Sequence, residues 1–524
     1  MSERSIWARV AILSLAAVML AGVPYLLAWR WAPEGTRFAG FLLNPIDGFS
    51  YLAKMRQGAD GGWLFRLPYA NDPGDGVLLF IYPIFLGHLS RWLGTSLLPT
   101  YHAARLVAAA AMFAVAFIFL QRTVEPGRAR WLAYLLVLFG AGQGWIAALA
   151  WGQTASDLWI AESMPFLSAY ANAHFPLTAA AFLGLLALLA RPERGRKRSR
   201  LLGAGMGFLL GAIQPFVMVV LAALLVGWLA WEWAAGGRRR GWIPDSHLMD
   251  KVWLAALAFL GAAPWMAYDL WISRVHAAIS AWNAQNLTLS PALSEYVFGF
   301  GLLLPLALAG ALRPEVHGRS QGRLLIAWAI GGLFLLYTPL PFQRRLSFML
   351  YVPLAGLSAL GLHHWLRGGR SFRLAAATLI AFSIPSQALI LAAGLGGVRR
   401  GDPALVHLPG ETEAYAWIEM NIPREEVVLA SPETGNRLPA FADVRVLYGH
   451  PFETPHADTW RETVQELFAW AGDEAQGLEE LNALGVHWVF YGRRERALGT
   501  PSWLAALSPA ARFEDVVIYR LAEP

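Results

Sequence analysis

Ten long apolar runs leave this chain few ways to fold. They lie near residues 7–31, 103–121, 131–150, 173–190, 201–233, 252–272, 294–312, 323–338, 346–362 and 374–395. About 20 apolar residues suffice to cross the hydrocarbon layer of a bilayer as a helix. In that layer only helices and closed barrels satisfy every backbone N–H and C=O. Charged residues are only 15% of the 524, and mean hydropathy is +0.42; soluble domains carry roughly 25% charged residues. The expectation is a polytopic α-helical membrane protein, with the 24 tryptophans suited to interfacial belts. The first run is too long for a signal-peptide core and no A-x-A site follows it, so it reads as a retained span.

Basic loops should face the cytoplasm. The strongest runs from Arg191 to Arg200 and includes Arg194, Arg196, Lys197 and Arg198. Others carry Arg122, Arg128 and Arg130; Arg238, Arg239 and Arg240; Arg313, Arg319 and Arg323; and Arg367, Arg370 and Arg373. All fall on one side if Gln214-Pro215 divides 201–233 into two helices and if 77–93 lies in or re-enters the membrane without crossing. The result is about 11 spans, with the N-terminus inside and the C-terminus outside. The outer segments are then 32–102, 151–172, 273–293, 338–345 and the tail from about residue 398.

Charge divides the chain. Residues 402–524 hold 20 acids and 9 bases, a net of −11, whereas the first 401 residues carry a net of +17. The pI of 9.6 therefore averages basic membrane loops with an acidic tail and does not imply nucleic-acid binding. The expected domains are a membrane domain over 1–397, with a long first outer loop at 32–102, and a soluble extracytoplasmic α/β domain over 398–524. In the tail, Glu411–Asn421 reads as a helix and Glu426–Ala430 as a strand, followed by a turn-rich loop from Ser431 to Asn436. Val444–Tyr448, Val486–Tyr491 and Phe513–Leu521 read as strands, and Trp460–Ala471 and Gly477–Leu484 as helices. This alternation predicts a small α/β domain. It contains no G-x-G-x-x-G, P-loop or G-x-S-x-G motif. With no cysteine, thiol and disulfide chemistry are excluded.

The polar residues of the outer segments carry the functional reading. Asp47, in Asn44-Pro45-Ile46-Asp47-Gly48, is placed to act as general base on an acceptor hydroxyl; the alternative is a helix N-cap. Asp60, Asp72 and Asp75 sit in turns. Asp157 and Glu162 are second acids that would hold a divalent metal or position an acceptor if they faced Asp47; the alternative is solvated loop acids. Asn172 and His174 open a span at its outer mouth, where they suit a phosphate or sugar contact. Gln343-Arg344-Arg345 breaks the positive-inside trend, and arginine suits bidentate phosphate contact. Tyr51 is a further candidate substrate contact. Asp269 lies near the end of its span, where an acid is either functional or reaching the interface.

Together these features resemble the GT-C superfamily of membrane glycosyltransferases, which includes protein O-mannosyltransferases and the aminoarabinose transferases that modify lipid A. The resemblance covers the layout of residues 1–395, with Asn44-Pro45-Ile46-Asp47, the stretch Asp47–Trp63, Ala171–Pro176 and Gln343-Arg344-Arg345. Ser431–Asn436 and Tyr448-Gly449-His450-Pro451-Phe452-Glu453-Thr454-Pro455 also resemble the tail of such proteins. It implies inverting transfer from a polyprenyl-phosphate sugar to a lipid, glycan or protein acceptor at the outer face of the cell membrane. Asp47 would be the acceptor-side base, and Arg344 or Arg345 would meet the donor phosphate. One departure is that Asp47 is not followed by a second acid, as it is in the Asp-Glu pair of the mannosyltransferases. The rival reading is a transporter or flippase of a lipid-linked saccharide. Transporters place charges at mid-membrane in repeated halves; here the polar residues gather at one face and no repeat is evident. A third reading is a non-catalytic envelope protein whose tail domain is the working part.

Overall fold

The apolar runs fold into helices. The computed structural model describes residues 2–192, 197–240, 246–367 and 369–521, without the side chains of 237–240. Of the basic clusters, Arg194, Arg196 and the side chains of Arg238, Arg239 and Arg240 lie outside the described residues. Six helical segments are long and apolar enough to cross a membrane: Glu3–Trp31, Leu97–Thr123, Val217–Gly236, Ser246–Val275, Gln343–Leu366 and Gly369–Arg399. Two further pairs qualify only together, Arg128–Phe139 with Gly144–Trp151, bent by 45°, and Leu293–Phe300 with Leu303–Ala311, bent by 77°. His174–Ala190 and Ser320–Leu335 are apolar but shorter. The chain is therefore a multi-pass membrane protein; of the about 11 spans expected, six to eight are long and apolar enough to cross among the described residues. Two of the expected spans are the bent pairs, and three more are the helices His174–Ala190, Lys197–Ile213 and Ser320–Leu335, whose 17, 17 and 16 residues fall short of the length of the other six. The break at Gln214-Pro215 is present as expected, between Lys197–Ile213 and Val217–Arg240. Ile81–Leu93 is 13 residues long, about 20 Å of helix, too short to cross.

The chain divides into two compact units. One comprises residues 1–24, 102–268 and 288–393, the other 25–101, 269–287 and 394–524. The unit holding the tail is thus larger than the expected 398–524 segment.

In the first unit the helix Tyr351–Leu366 is buried on all sides from Tyr351 to Leu362. Small residues let its neighbours approach. A Cβ on Gly310 would lie 2.1 Å from the Leu357 carbonyl oxygen, and one on Gly361 would lie 2.8 Å from the Gly310 nitrogen. Van der Waals contact between closely approaching backbones drives helix association where lipid removes the hydrophobic gain.

In the second unit the helices Pro45–Ala59 and Ile81–Leu93 meet in the same way, through Gly58 against the Ile84 carbonyl and Gly87 against the Met55 carbonyl. Six strands are present among the described residues: β1 Arg37–Phe38, β2 Val406–His407, β3 Val427–Leu429, β4 Val486–Tyr491, β5 Ser508–Phe513 and β6 Val516–Arg520. β1 and β2 form a short antiparallel pair, and the other four form one sheet in the order β3-β4-β6-β5. β3 and β4 are parallel; the remaining pairs are antiparallel. Alternate residues face opposite sides. Val427, Leu429, Val489 and Tyr491 pack with the helices Ala457–Phe468 and Glu474–Ala483, while Val428, Trp488, Phe490 and Ile518 pack with Glu411–Asn421 and Pro432–Phe441.

Two expectations in the tail are corrected. Ser431–Asn436 is not a loop: Ser431 caps a helix, Pro432–Phe441, its hydroxyl accepting from the Thr434 N–H, with Pro432 at the first helical position. Val444–Tyr448 is not a strand; it makes only a single bridge, Val427 to Arg445. The expected strand at Phe513–Leu521 is the second arm of a hairpin whose first arm, β5, was not anticipated, since its outward residues carry no apolar alternation.

Gly310→Leu should prevent the approach of Leu303–Ala311 to Tyr351–Leu366 and lower the midpoint of thermal unfolding in detergent. Overpacking of this kind costs about 1–3 kcal/mol. An unchanged midpoint would show that this crossing does not limit stability.

Candidate functional site

Asp47 lies in the first turn of the helix Pro45–Ala59 and is not its cap. The cap position belongs to Asn44, which is left-handed at φ 51° with Pro45 next at the first helical position. Asparagine tolerates this conformation better than most residues. Its side-chain amide donates to Asp47 Oδ2. His450 Nε2 lies 3.1 Å from Asp47 Oδ1. The helix N-terminus adds a favourable dipole for the carboxylate. The Asp47 side chain is 36% exposed, against 2% for His450.

The spacing of Asp47, Ser50 and Lys54 places all three on one helix face. Lys54 is fully buried and donates to Glu453 Oε1 at 2.6 Å; the Ser50 hydroxyl donates to the same oxygen at 2.7 Å. Lys54 Nζ also sits 4.2 Å from the Phe80 ring centroid and 5.4 Å from that of Tyr51. Tyr51 in turn stacks on Tyr101 at 6.2 Å. Burial acts to raise the Glu453 carboxyl, but the charge of Lys54, the neighbouring His450 and the hydrogen bonds from Lys54 and Ser50 outweigh it and hold the group below its ordinary value. Sequence reading missed His450, Lys54 and Glu453. For His450 and Glu453 the signal was the run Tyr448–Pro455, singled out above without a role for either residue; for Lys54 it was the spacing from Asp47 and Ser50 along one helix face.

Of the acids in turns, Asp72 accepts from the Gly74 N–H, as its turn role requires, and Asp60 lies 3.5 Å from Arg424. Arg424 also reaches Asp443, whose carboxyl is pushed up to about 7, first by burial and then by the like charge of Asp60.

The first unit carries the other candidates. The Arg344 guanidinium lies 5.0 Å above the Trp159 ring and its Nη2 is 3.9 Å from Glu162 Oε1. Its Nε is buried and, among the described residues, has no hydrogen-bond partner. Glu162 is itself buried. Arg345 sits 6.0 Å from the Phe216 ring. Gln343 is occupied locally: its amide donates to the Thr338 carbonyl at 2.7 Å and accepts from the Ser290 N–H at 3.2 Å. His174 begins the helix His174–Ala190, and Asn172 is buried just before it. Asp157 is fully buried rather than solvated, accepting from the Gly144 N–H at 3.2 Å. Burial pushes its carboxyl up to about 6, against the hydrogen bonds of Ser386 and Gly144. Arg105 was not anticipated: it is buried inside the helix Leu97–Thr123, and its guanidinium donates to the carbonyls of Ala21, Ala169 and Tyr170. Among the described residues no three His, Asp or Glu side chains converge in a group able to hold a metal ion.

No family model matches the sequence, and no curated protein matches it. Solved structures do. The oligosaccharyltransferase of Archaeoglobus fulgidus, solved tethered to an acceptor peptide, is 13% identical over 97% of this chain and 74% of its own, with a TM-score of 0.54. ArnT from Cupriavidus metallidurans is 13% identical over the full length of both chains, with a TM-score of 0.55; it has also been solved bound to undecaprenyl phosphate. The mycobacterial arabinofuranosyltransferase AftD is 16% identical over 100% of this chain and 40% of its own, with a TM-score of 0.54. This chain has the GT-C fold. At such identities the likeness concerns the path of the backbone.

The Lys54–Glu453 pair gives a sharp test. Lys54→Met strands a buried carboxylate and should destabilise the protein by about 3–5 kcal/mol at neutral pH, whereas Lys54→Met with Glu453→Leu should cost much less. Because the carboxyl is held low, its contribution is present above the unfolded-state value near ~4.3 and is lost as pH falls through the lower folded value. Denaturant unfolding in detergent across pH measures both effects. A single variant as stable as the natural chain would refute the assignment.

Proposed function

We propose that this chain is an integral-membrane glycosyltransferase that moves a sugar from a polyprenyl-phosphate donor to an acceptor hydroxyl at the outer face of the membrane. The carrying observation is Asp47, a partly exposed carboxylate gripped at one oxygen by Asn44 and at the other by His450. The GT-C fold supports the reading, since the similar structures include an oligosaccharyltransferase and an arabinofuranosyltransferase, and ArnT is solved with undecaprenyl phosphate.

The reaction is a single displacement with inversion. The acceptor oxygen forms its bond to the anomeric carbon while the bond from that carbon to the phosphate oxygen breaks. The polyprenyl phosphate leaves with the electron pair, and the acceptor proton passes to Asp47. Arg344 and Arg345 stabilise the charge developing on the leaving phosphate. The unpartnered Nε of Arg344 supports this role, because a buried donor without a partner is costly unless a ligand satisfies it. Glu162 orients Arg344, and His174, Asn172 and Tyr51 are assigned to sugar or phosphate contacts. Asp157, with no exposed atom to offer a substrate, is assigned to the protein interior. The membrane domain over 1–397 and an extracytoplasmic tail over 398–524 complete the proposal.

Purified protein in nanodiscs, given a panel of radiolabelled polyprenyl-phosphate sugars, should transfer from at least one. Asp47→Asn should lower kcat by about 10²–10⁴-fold, and Arg344→Ala should lower it as well. Donor movement between leaflets of proteoliposomes, with no transfer from any donor, would replace the enzyme reading with a flippase.

A further inference from the structure

We propose that His450 is the positioning residue for Asp47, fixed in one tautomer by the loop that carries it; the inference rests on the glycosyltransferase reading above. His450 Nδ1 accepts two backbone N–H groups, from Phe452 at 3.1 Å and from Glu453 at 3.2 Å. A nitrogen that accepts carries no proton, so the ring is neutral and its proton lies on Nε2. That N–H donates to Asp47 Oδ1. Asn44 donates to the other oxygen, so the plane of the carboxylate is set from both sides.

The ring has little freedom to turn. Tyr69 stacks on it with centroids 5.7 Å apart. Thr454 Oγ1 accepts from the backbone N–H groups of Gly449, at 3.2 Å, and His450, at 3.1 Å, and the Thr454 N–H returns to the His450 carbonyl at 3.1 Å. Gly449 has no room for a side chain, since a Cβ there would lie 2.3 Å from the Tyr69 ring and 2.6 Å from the Gly435 carbonyl. The loop is then tied to the helix of Asp47 at a second point, through Glu453 to Ser50 and Lys54. Two loop residues three apart therefore hold three helix residues on one face. A base that must meet an acceptor hydroxyl in line with the leaving group gains from this fixed orientation. Donation to the carboxylate does not make it a stronger base, so the contribution of His450 is one of geometry.

Two amide substitutions separate the two ends of the ring. His450→Asn places an oxygen near the Nδ1 position, keeping the turn, but is too short to reach Asp47. His450→Gln carries its amide nitrogen near the Nε2 position, keeping the donation, but gives up the turn bonds. In nanodisc assays H450Q should stay within about threefold of the natural kcat, while H450N should lose about tenfold or more with KM for the donor unchanged. H450N matching or exceeding H450Q would assign His450 to the turn alone and overturn the inference, leaving the transferase reading intact. No transfer by the unsubstituted chain would overturn both. Should either variant fail to fold, ¹⁵N-histidine spectra of the unsubstituted chain, with the His450 signal assigned as the one that shifts in Tyr69→Phe, whose ring stacks on it, decide the matter. The Nε2-protonated neutral form is expected, and an Nδ1-protonated or doubly protonated ring would overturn the assignment.

Discussion

A peptide group surrounded by hydrocarbon has nothing to bond to except its own chain. Uninterrupted helices meet that demand at once. Broken ones do not, and the first unit shows how the freed groups are satisfied. At the break after Phe139 the Ala141 N–H goes to the Ser383 carbonyl at 2.7 Å, the Gly140 carbonyl receives the Gln387 amide at 3.2 Å, and the Gly144 N–H goes to Asp157. The second break helps close the first: the Gln143 N–H bonds the Phe298 carbonyl at 2.8 Å, and the Gln143 side chain accepts from the Leu302 N–H at 2.6 Å. Gln143, Asp157 and Gln387 are buried polar residues in an apolar bundle because bent helices need partners that lipid cannot supply. Asp157 therefore leaves the set of exposed acids, and its bond to the Gly144 N–H gives it a structural reason to exist.

The second unit applies the same economy to charge. A lysine without solvent needs an anion beside it and hydrogen bonds around it. Lys54 has Glu453, Ser50 and the face of Phe80. The consequence is functional, because the segment that supplies Glu453 also supplies His450 three residues earlier. Stabilising the buried lysine and orienting Asp47 are thereby done by one short loop, whose own turns are closed by Thr454 and by Gln285 donating to the Thr454 carbonyl.

Much of this was legible in the residues. The span positions followed from the apolar runs, and the division at Gln214-Pro215 followed from proline chemistry. Glu411–Asn421 and Val486–Tyr491 were read with the bounds they have. Asp47 was singled out from its setting. The failures share a cause. Hydropathy averages over a window, so it counts Arg128–Phe139 and Gly144–Trp151 as one straight span and cannot register a 45° bend. Turn-forming composition from Ser431 to Asn436 is also good N-terminal helix chemistry, and only the flanking helix decides between the two. Val444–Tyr448 has the composition of a strand but lacks a partner along its length.

What the sequence by itself determined is the class of solvent and the kind of element. Apolar length requires helices in a bilayer, and the acidic, alternating tail requires helices packed on a small sheet, because both rest on composition summed over many residues. What only the tertiary structure decided is which polar residues meet. Asp47 and His450 are separated by 403 positions, and Lys54 and Glu453 by 399. No local propensity or spacing can report such pairs, since a hydrogen bond of about 3 Å depends on where two distant backbones are brought by packing.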